Sequence, residues 1–238
     1  MKKMKRLYEE NRLAFSLIWI GLYVVLLSFA DGISESLGVE KAVTAPLCIV
    51  MSVFLWVWLK KNDWLEECGL CAFRGNAGKY LYFIPLAAIV SANLWFGVHI
   101  QTGITEMLLY IVSMLCVGFL EEVIFRGFLF RSLLKNGETS AILISALTFG
   151  IGHIVNLLNG ADLLPTLLQI VYASAAGLLF TLLFHRSGSL VPCIAAHSVL
   201  NALSIFKAQA GRGENMITAA ALTVIALLYS IWIWKKTA

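Results

Sequence analysis

Eight apolar runs follow one another along the 238 residues, each about the length needed to cross a bilayer: approximately 13–30, 42–59, 80–98, 107–130, 141–158, 164–184, 188–206 and 216–234. A run of roughly 18 or more apolar residues reads as a transmembrane helix. Lipid offers no hydrogen bonds, so a spanning segment must satisfy its own backbone N–H and C=O groups, as a helix does. Only 13% of the residues are charged, 60% are apolar and the mean hydropathy is +0.84, whereas a soluble domain carries about 25% charged residues. The expected fold is therefore all-α: a polytopic membrane protein of about eight helices in one bundle, forming a single membrane domain over residues 1–238.

The basic residues orient such a bundle. With an even number of spans both ends lie on one side. With the N-terminus inside, that side collects Lys2, Lys3, Lys5, Arg6, Arg12, Lys60, Lys61, Arg74, Lys79, Arg126, Arg131, Lys135, Arg186, Lys235 and Lys236. The other side receives Lys41, Lys207 and Arg212. This bias predicts a multi-pass cell-membrane protein with both termini cytoplasmic. The net charge of +4 then reflects anchoring at that face and calls for no nucleic-acid partner. Run 13–30 is long enough to span and is followed by no A-x-A-like cleavage site, so it reads as the first helix and not as a cleavable signal.

Trp56, Trp58, Lys60 and Lys61, and again Trp232, Trp234, Lys235 and Lys236, form aromatic and basic anchors at span ends. Pro85 and Pro192 fall within runs and are expected to kink them. Ala173–Gly177 has the small-xxx-small spacing that lets helices approach closely. Cys48, Cys116 and Cys193 sit in apolar runs as small hydrophobes. Cys68 and Cys71 form a lone C-x-x-C on a loop without a neighbouring βαβ pattern, a weak signal for redox or metal chemistry. His99 and His185 lie at span ends, where interfacial side chains are the expected reading.

Charge inside the run 107–130 demands a reason. Glu121, Glu122 and Arg126 sit there, and each such group costs roughly 2.5–3.5 kcal/mol near the bilayer centre. They persist where they face a protein interior, pair, or do chemistry. Glu122 and Arg126 are four apart and can pair along a helix, which leaves Glu121 without a local partner. Two further spans carry polar groups near their middles: His153 and Asn156, three apart, and His197 and Asn201, four apart, each pair on one helical face. At 1.5 Å per residue, Glu121, His153 and His197 lie within roughly 5 Å of the midpoints of their runs, which predicts a buried polar cavity.

A carboxylate beside an imidazole can deprotonate water, and a second His with an amide one turn away can donate to a developing oxyanion. Those are the parts of a hydrolase acting on an acyl group. Ser198 points about 100° away from His197 on a helix and is not needed as nucleophile. Glu121, His153 and His197 would equally make a two-histidine, one-carboxylate ligand set for zinc with an open position for water. Sequence leaves that choice open.

Glu-Glu-x-x-x-Arg at 121–126, Phe-x-x-x-His at 149–153 and His-x-x-x-Asn at 197–201, in this order, resemble the three motifs of the CAAX prenyl protease and bacteriocin-processing (Abi) family of intramembrane endopeptidases. The resemblance covers about residues 107–206; the first three spans match in hydropathy alone. It implies that Glu121 and His153 activate the attacking water while His197 and Asn201 stabilise the oxyanion. Glu122, Arg126 and Phe149 would support the site, Phe149 by packing that positions His153, and Asn156 shares the face of His153. It further implies a glutamate-dependent mechanism without a cofactor, with zinc or another divalent metal as the alternative, and a protein or peptide substrate met at the lipid bilayer. From a different class, the same buried titratable groups would suit a non-catalytic immunity or scaffold protein or a proton-coupled transporter. Such a protein would tolerate loss of His197 and Asn201.

Overall fold

A computed structural model describes residues 2–100, 102–209 and 211–236. Among them a short helix α1 (Lys2–Glu10) precedes α2 (Arg12–Ser36), α3 (Thr44–Lys61), α4 (Ala77–Leu94), α5 (Ile104–Asn136), α6 (Glu138–Leu158), α7 (Leu163–Ser187), α8 (Val191–Phe206) and α9 (Arg212–Lys236). Seven of these, α2 to α7 and α9, are long and apolar enough to cross a membrane. The eighth apolar segment, α8, is shorter than a spanning helix. The expectation of eight full spans is corrected here: polar residues 187–189 and the turn at Gly188 (φ +72) begin the segment late, and a 3-10 turn at Ser204–Phe206 ends it.

Two further spans depart from the sequence reading. In α4 the backbone at Leu81, Tyr82 and Phe83 is left-handed (φ 51, 50 and 60), so right-handed helix starts only at Ile84. Pro85 and Pro192 lie in the first turns of the right-handed helices that begin at Ile84 and Val191 and so interrupt neither; the bend in α4 lies just before Pro85. A first-turn position has no intrahelical N–H bond to lose. In α6 the α-helix stops at Gly152, with His153 as its C-cap and Val155–Leu158 a separate turn. His153 and Asn156 thus do not share one helical face.

Polar contacts and small residues hold the bundle. The shared surface of α5 and α8 depends on Gly118: a Cβ there would lie 2.6 Å from the backbone N and Cα of Ser198. Along the same seam the Ser198 hydroxyl donates to the Leu115 carbonyl (2.9 Å), and Tyr110 and Ser204 hydroxyls meet at 2.7 Å. Helices α6 and α7 close on Gly150, whose added Cβ would meet Ser174 N at 2.8 Å, and on Gly177, which faces the Ala146 backbone. Gly177 belongs to the small-residue pattern read from the sequence. In α1, Tyr8 is buried among Phe15, Trp58, Trp64 and Phe128, which ties this surface helix to α2, α3 and α5. At the opposite end, Lys41 Nζ and Thr44 Oγ1 both donate to Asp31 Oδ1.

Replacing Gly118 with Ala drives a methyl group into the Ser198 backbone, which cannot give way as a flexible side chain could. Overpacking of this kind costs about 1–3 kcal/mol. Gly118→Ala should therefore lower the melting temperature of the detergent-solubilised protein, whereas Gly21→Ala, at a position with nothing within 4 Å, should not.

Candidate active site

Helix α5 runs for 33 residues, about 50 Å at 1.5 Å per residue, and Glu121 sits one position from its middle. Immediately after Glu122 the helix widens into a π-helical stretch, Val123–Phe130, all eight residues of which are buried. Such stretches are rare and cluster at functional sites. Here the stretch carries Arg126 and places Gly127 against Cys68, where a Cβ would stand 3.3 Å from the Cys68 carbonyl oxygen.

Glu122 and Arg126 are both fully buried and pair at 3.0 Å, Arg126 Nη1 donating to Glu122 Oε1. The pairing agrees with the sequence reading; the depth does not fit Arg126 as an anchor at the basic face. The same Glu122 oxygen accepts a hydrogen bond from His197 Nδ1 at 2.8 Å. The Arg126 guanidinium carbon lies over Phe149, 4.2 Å from the ring centre, a cation–π contact strengthened by desolvation. Packing and pairing offset part of what two isolated charges would cost in this interior; Glu122 Oε2 and Arg126 Nε and Nη2 have no hydrogen-bond partner among the described residues.

Glu121 is not without a partner. Its Oε1 accepts a hydrogen bond from Tyr23 Oη of α2 at 2.8 Å, and its Oε2 lies 3.2 Å from His197 Nε2. The imidazole of His197 therefore stands between the two adjacent carboxylates, one at each ring nitrogen. Its side chain is 7% exposed and that of Glu121 14%, so this edge of the cluster alone opens outward while Glu122 and Arg126 close its back.

His153 occupies the end of the α6 helix for a local reason. With its backbone N–H turned to Gly150 O (3.1 Å), the Phe149 carbonyl loses its usual i+4 donor, and His153 Nδ1 takes that place at 3.1 Å. A carbonyl only accepts, so Nδ1 carries the proton and Nε2 is left as an acceptor. Among the described residues no direct contact joins His153 to Glu121 or His197. Phe149 links them, meeting His153 at 5.2 Å and His197 at 5.6 Å between ring centres, edge to face in both cases. Phe149 thus does more than position His153: it touches both histidines and Arg126.

Asn201 lies one turn beyond His197 on α8 and is partly exposed, and its side chain makes no hydrogen bond among the described residues. Asn156 is held away from the cluster by Gln169, to whose Oε1 it donates at 2.9 Å. Ser198 is committed to Leu115 O, as its direction on the helix requires. Tyr23 and Phe180, which packs on His197 at 5.7 Å, went unnoticed in the sequence. A tyrosine in mid-span was the available signal for the first; nothing distinguishes Phe180 from other core aromatics.

The described residues contain no group of three or more His, Cys, Asp or Glu side chains placed to hold a metal ion. As positioned, Glu121, His153 and His197 do not fit the zinc ligand set considered above. The C-x-x-C pair is built into packing. Cys68 is fully buried beside Tyr8 Oη (3.6 Å), and burial pushes its thiol up to about 11, away from the reactive thiolate. Cys71 Sγ donates to Gly188 O at 3.6 Å. His185, expected at an interface, meets Glu138 Oε1 at 3.1 Å and is 22% exposed.

Residues 103–203 match the family model of the Rce1-like type II CAAX prenyl endopeptidases, which covers all three motifs. Neither the curated proteins nor the solved structures returned a match to the chain.

Removing one member of a buried ion pair strands the other in an apolar interior, at a cost of about 3–5 kcal/mol. Arg126→Ala should therefore lower thermal stability in detergent by that order. Arg126→Met combined with Glu122→Gln, which strands no charge, should recover much of the loss. Equal melting temperatures for Arg126→Ala and wild type would contradict the pairing.

Proposed function

Since the segment 103–203 of this multi-pass membrane protein is of the Rce1-like type II CAAX prenyl endopeptidase family, we propose that the chain is an intramembrane endopeptidase that hydrolyses a peptide bond of a membrane-associated or lipidated protein or peptide. The observation that carries the reading is the Glu121 carboxylate, near the middle of the longest span, 3.2 Å from His197 Nε2 and still partly open.

Glu121 acts as general base and takes a proton from water; the resulting oxygen nucleophile bonds to the scissile carbonyl carbon. His153, with Nδ1 given to Phe149 O, offers Nε2 to orient that water. The carbonyl electron pair moves onto oxygen, where His197 Nε2–H and the Asn201 amide donate to it. Glu121 and Glu122 flank the His197 ring, one at each nitrogen, and Arg126 pairs with Glu122 from the other side. Collapse of the tetrahedral intermediate breaks the C–N bond as the proton passes from Glu121 to the departing nitrogen. Every step runs through protein groups. A water-poor setting strengthens each of these interactions relative to solvent.

The test is cleavage. Glu121→Gln keeps the side-chain shape and removes the base, so turnover should fall at least 10²-fold against a farnesylated CAAX-box peptide in proteoliposomes. Comparative peptidomics of cells carrying wild type or Glu121→Gln should show products only with wild type. Identical peptidomes at equal expression would sink the proposal.

A further inference from the structure

Tyr23 lies on α2, outside the segment that matches the family and outside all three motifs. Its side chain is buried (6% exposed), and its hydroxyl donates to Glu121 Oε1 at 2.8 Å. The other oxygen of the same carboxylate faces His197 Nε2 at 3.2 Å. With one oxygen tethered, the plane of the carboxylate is set and only Oε2 is presented to the imidazole. A phenol–carboxylate bond is charge-assisted, and the Tyr23 side of it is buried.

The placement of the phenol is itself well determined. Trp19, one turn earlier on α2, is buried with it, and Phe15 below packs against Phe128 of the π-helical stretch at 5.1 Å. Helix α2 is therefore registered against the part of α5 that follows Glu122, and the Tyr23 hydroxyl arrives at Glu121 as a fixed donor. We infer that Tyr23 is a positioning residue for the Glu121 base, so that α2 completes the active site instead of serving as membrane anchor alone. This rests on the hydrolytic role given to Glu121 above.

Tyr23→Phe removes only the hydroxyl and keeps the ring. With the farnesylated CAAX-box peptide in proteoliposomes, kcat should fall about tenfold or more, as expected when a reacting group loses its alignment. KM should stay within about twofold and the melting temperature close to wild type, a split that a packing defect would not produce. A second readout needs no substrate. The Glu121 carboxylate stretch, identified by its disappearance in Glu121→Gln, should shift in the infrared difference spectrum of Tyr23→Phe. Unchanged kcat with an unchanged band overturns the inference, as does a loss of kcat that merely tracks a fall in melting temperature. If wild type leaves the peptide intact and the peptidomes of wild-type and Glu121→Gln cells coincide, the hydrolytic reading fails and takes the role of Tyr23 in turnover with it; the band then reports the contact alone.

Discussion

A single oxygen of Glu122 receives both the guanidinium of Arg126 and the imidazole of His197, and the centre of the bundle is arranged around that shared acceptor. Charge at this depth is tolerable only when paired and packed. The pairing fixes how α5 and α8 face each other, and the packing recruits Phe149 from α6 and Phe180 from α7. One desolvated triad thereby links four helices. The close seam at Gly118 follows from the same demand, because a larger residue would hold α8 too far away for the imidazole to reach.

Within that frame the two neighbouring glutamates have separate environments although they are adjacent in sequence. Glu122 turns inward to a fully buried cation; Glu121 turns to a phenol, an imidazole and the open edge. Successive helical residues differ by about 100°, enough to bury one carboxylate against a cation and leave the other at the open edge. His197 joins them, so an orientation imposed on the imidazole from one side is delivered to Glu121 on the other.

Much of this was legible from the residues. Spanning-length runs revealed the all-helical membrane fold, and the spacing of Glu122 and Arg126 gave their pairing directly. Three polar sites on separate runs were expected to meet in one cavity; Glu121 and His197 do come into contact, whereas His153 reaches neither of them directly and the Asn201 side chain makes no hydrogen bond among the described residues. What sequence periodicity could not show was where helices break. The stop at Gly152 arises from a competition between a backbone N–H and the His153 ring for one carbonyl, which no hydropathy window senses. The left-handed residues at Leu81–Phe83 were hidden for the same reason, since apolar side chains continue through them, whereas the late start of α8 was signalled by Ser187, Gly188 and Ser189, which a hydropathy window averages into the flanking apolar residues. Tyr23 was missed because its partner is 98 positions away, and only the packing of α2 on α5 reveals it.

The brevity of α8 has a consequence for the surrounding lipid. Its 16 residues, Val191–Phe206, rise only about 24 Å, several ångströms less than the roughly 30 Å hydrocarbon slab. Val191 and Val199 on its exposed side require acyl chains beside them, and a short wall forces those chains to compress. Asn201, five residues from the end of this short helix, lies only about 8 Å of helix rise from the point where α8 stops. The polar side chain of Asn201 and the histidine one turn below it are thereby separated from the helix end by a shorter apolar stretch than a full-length span would impose.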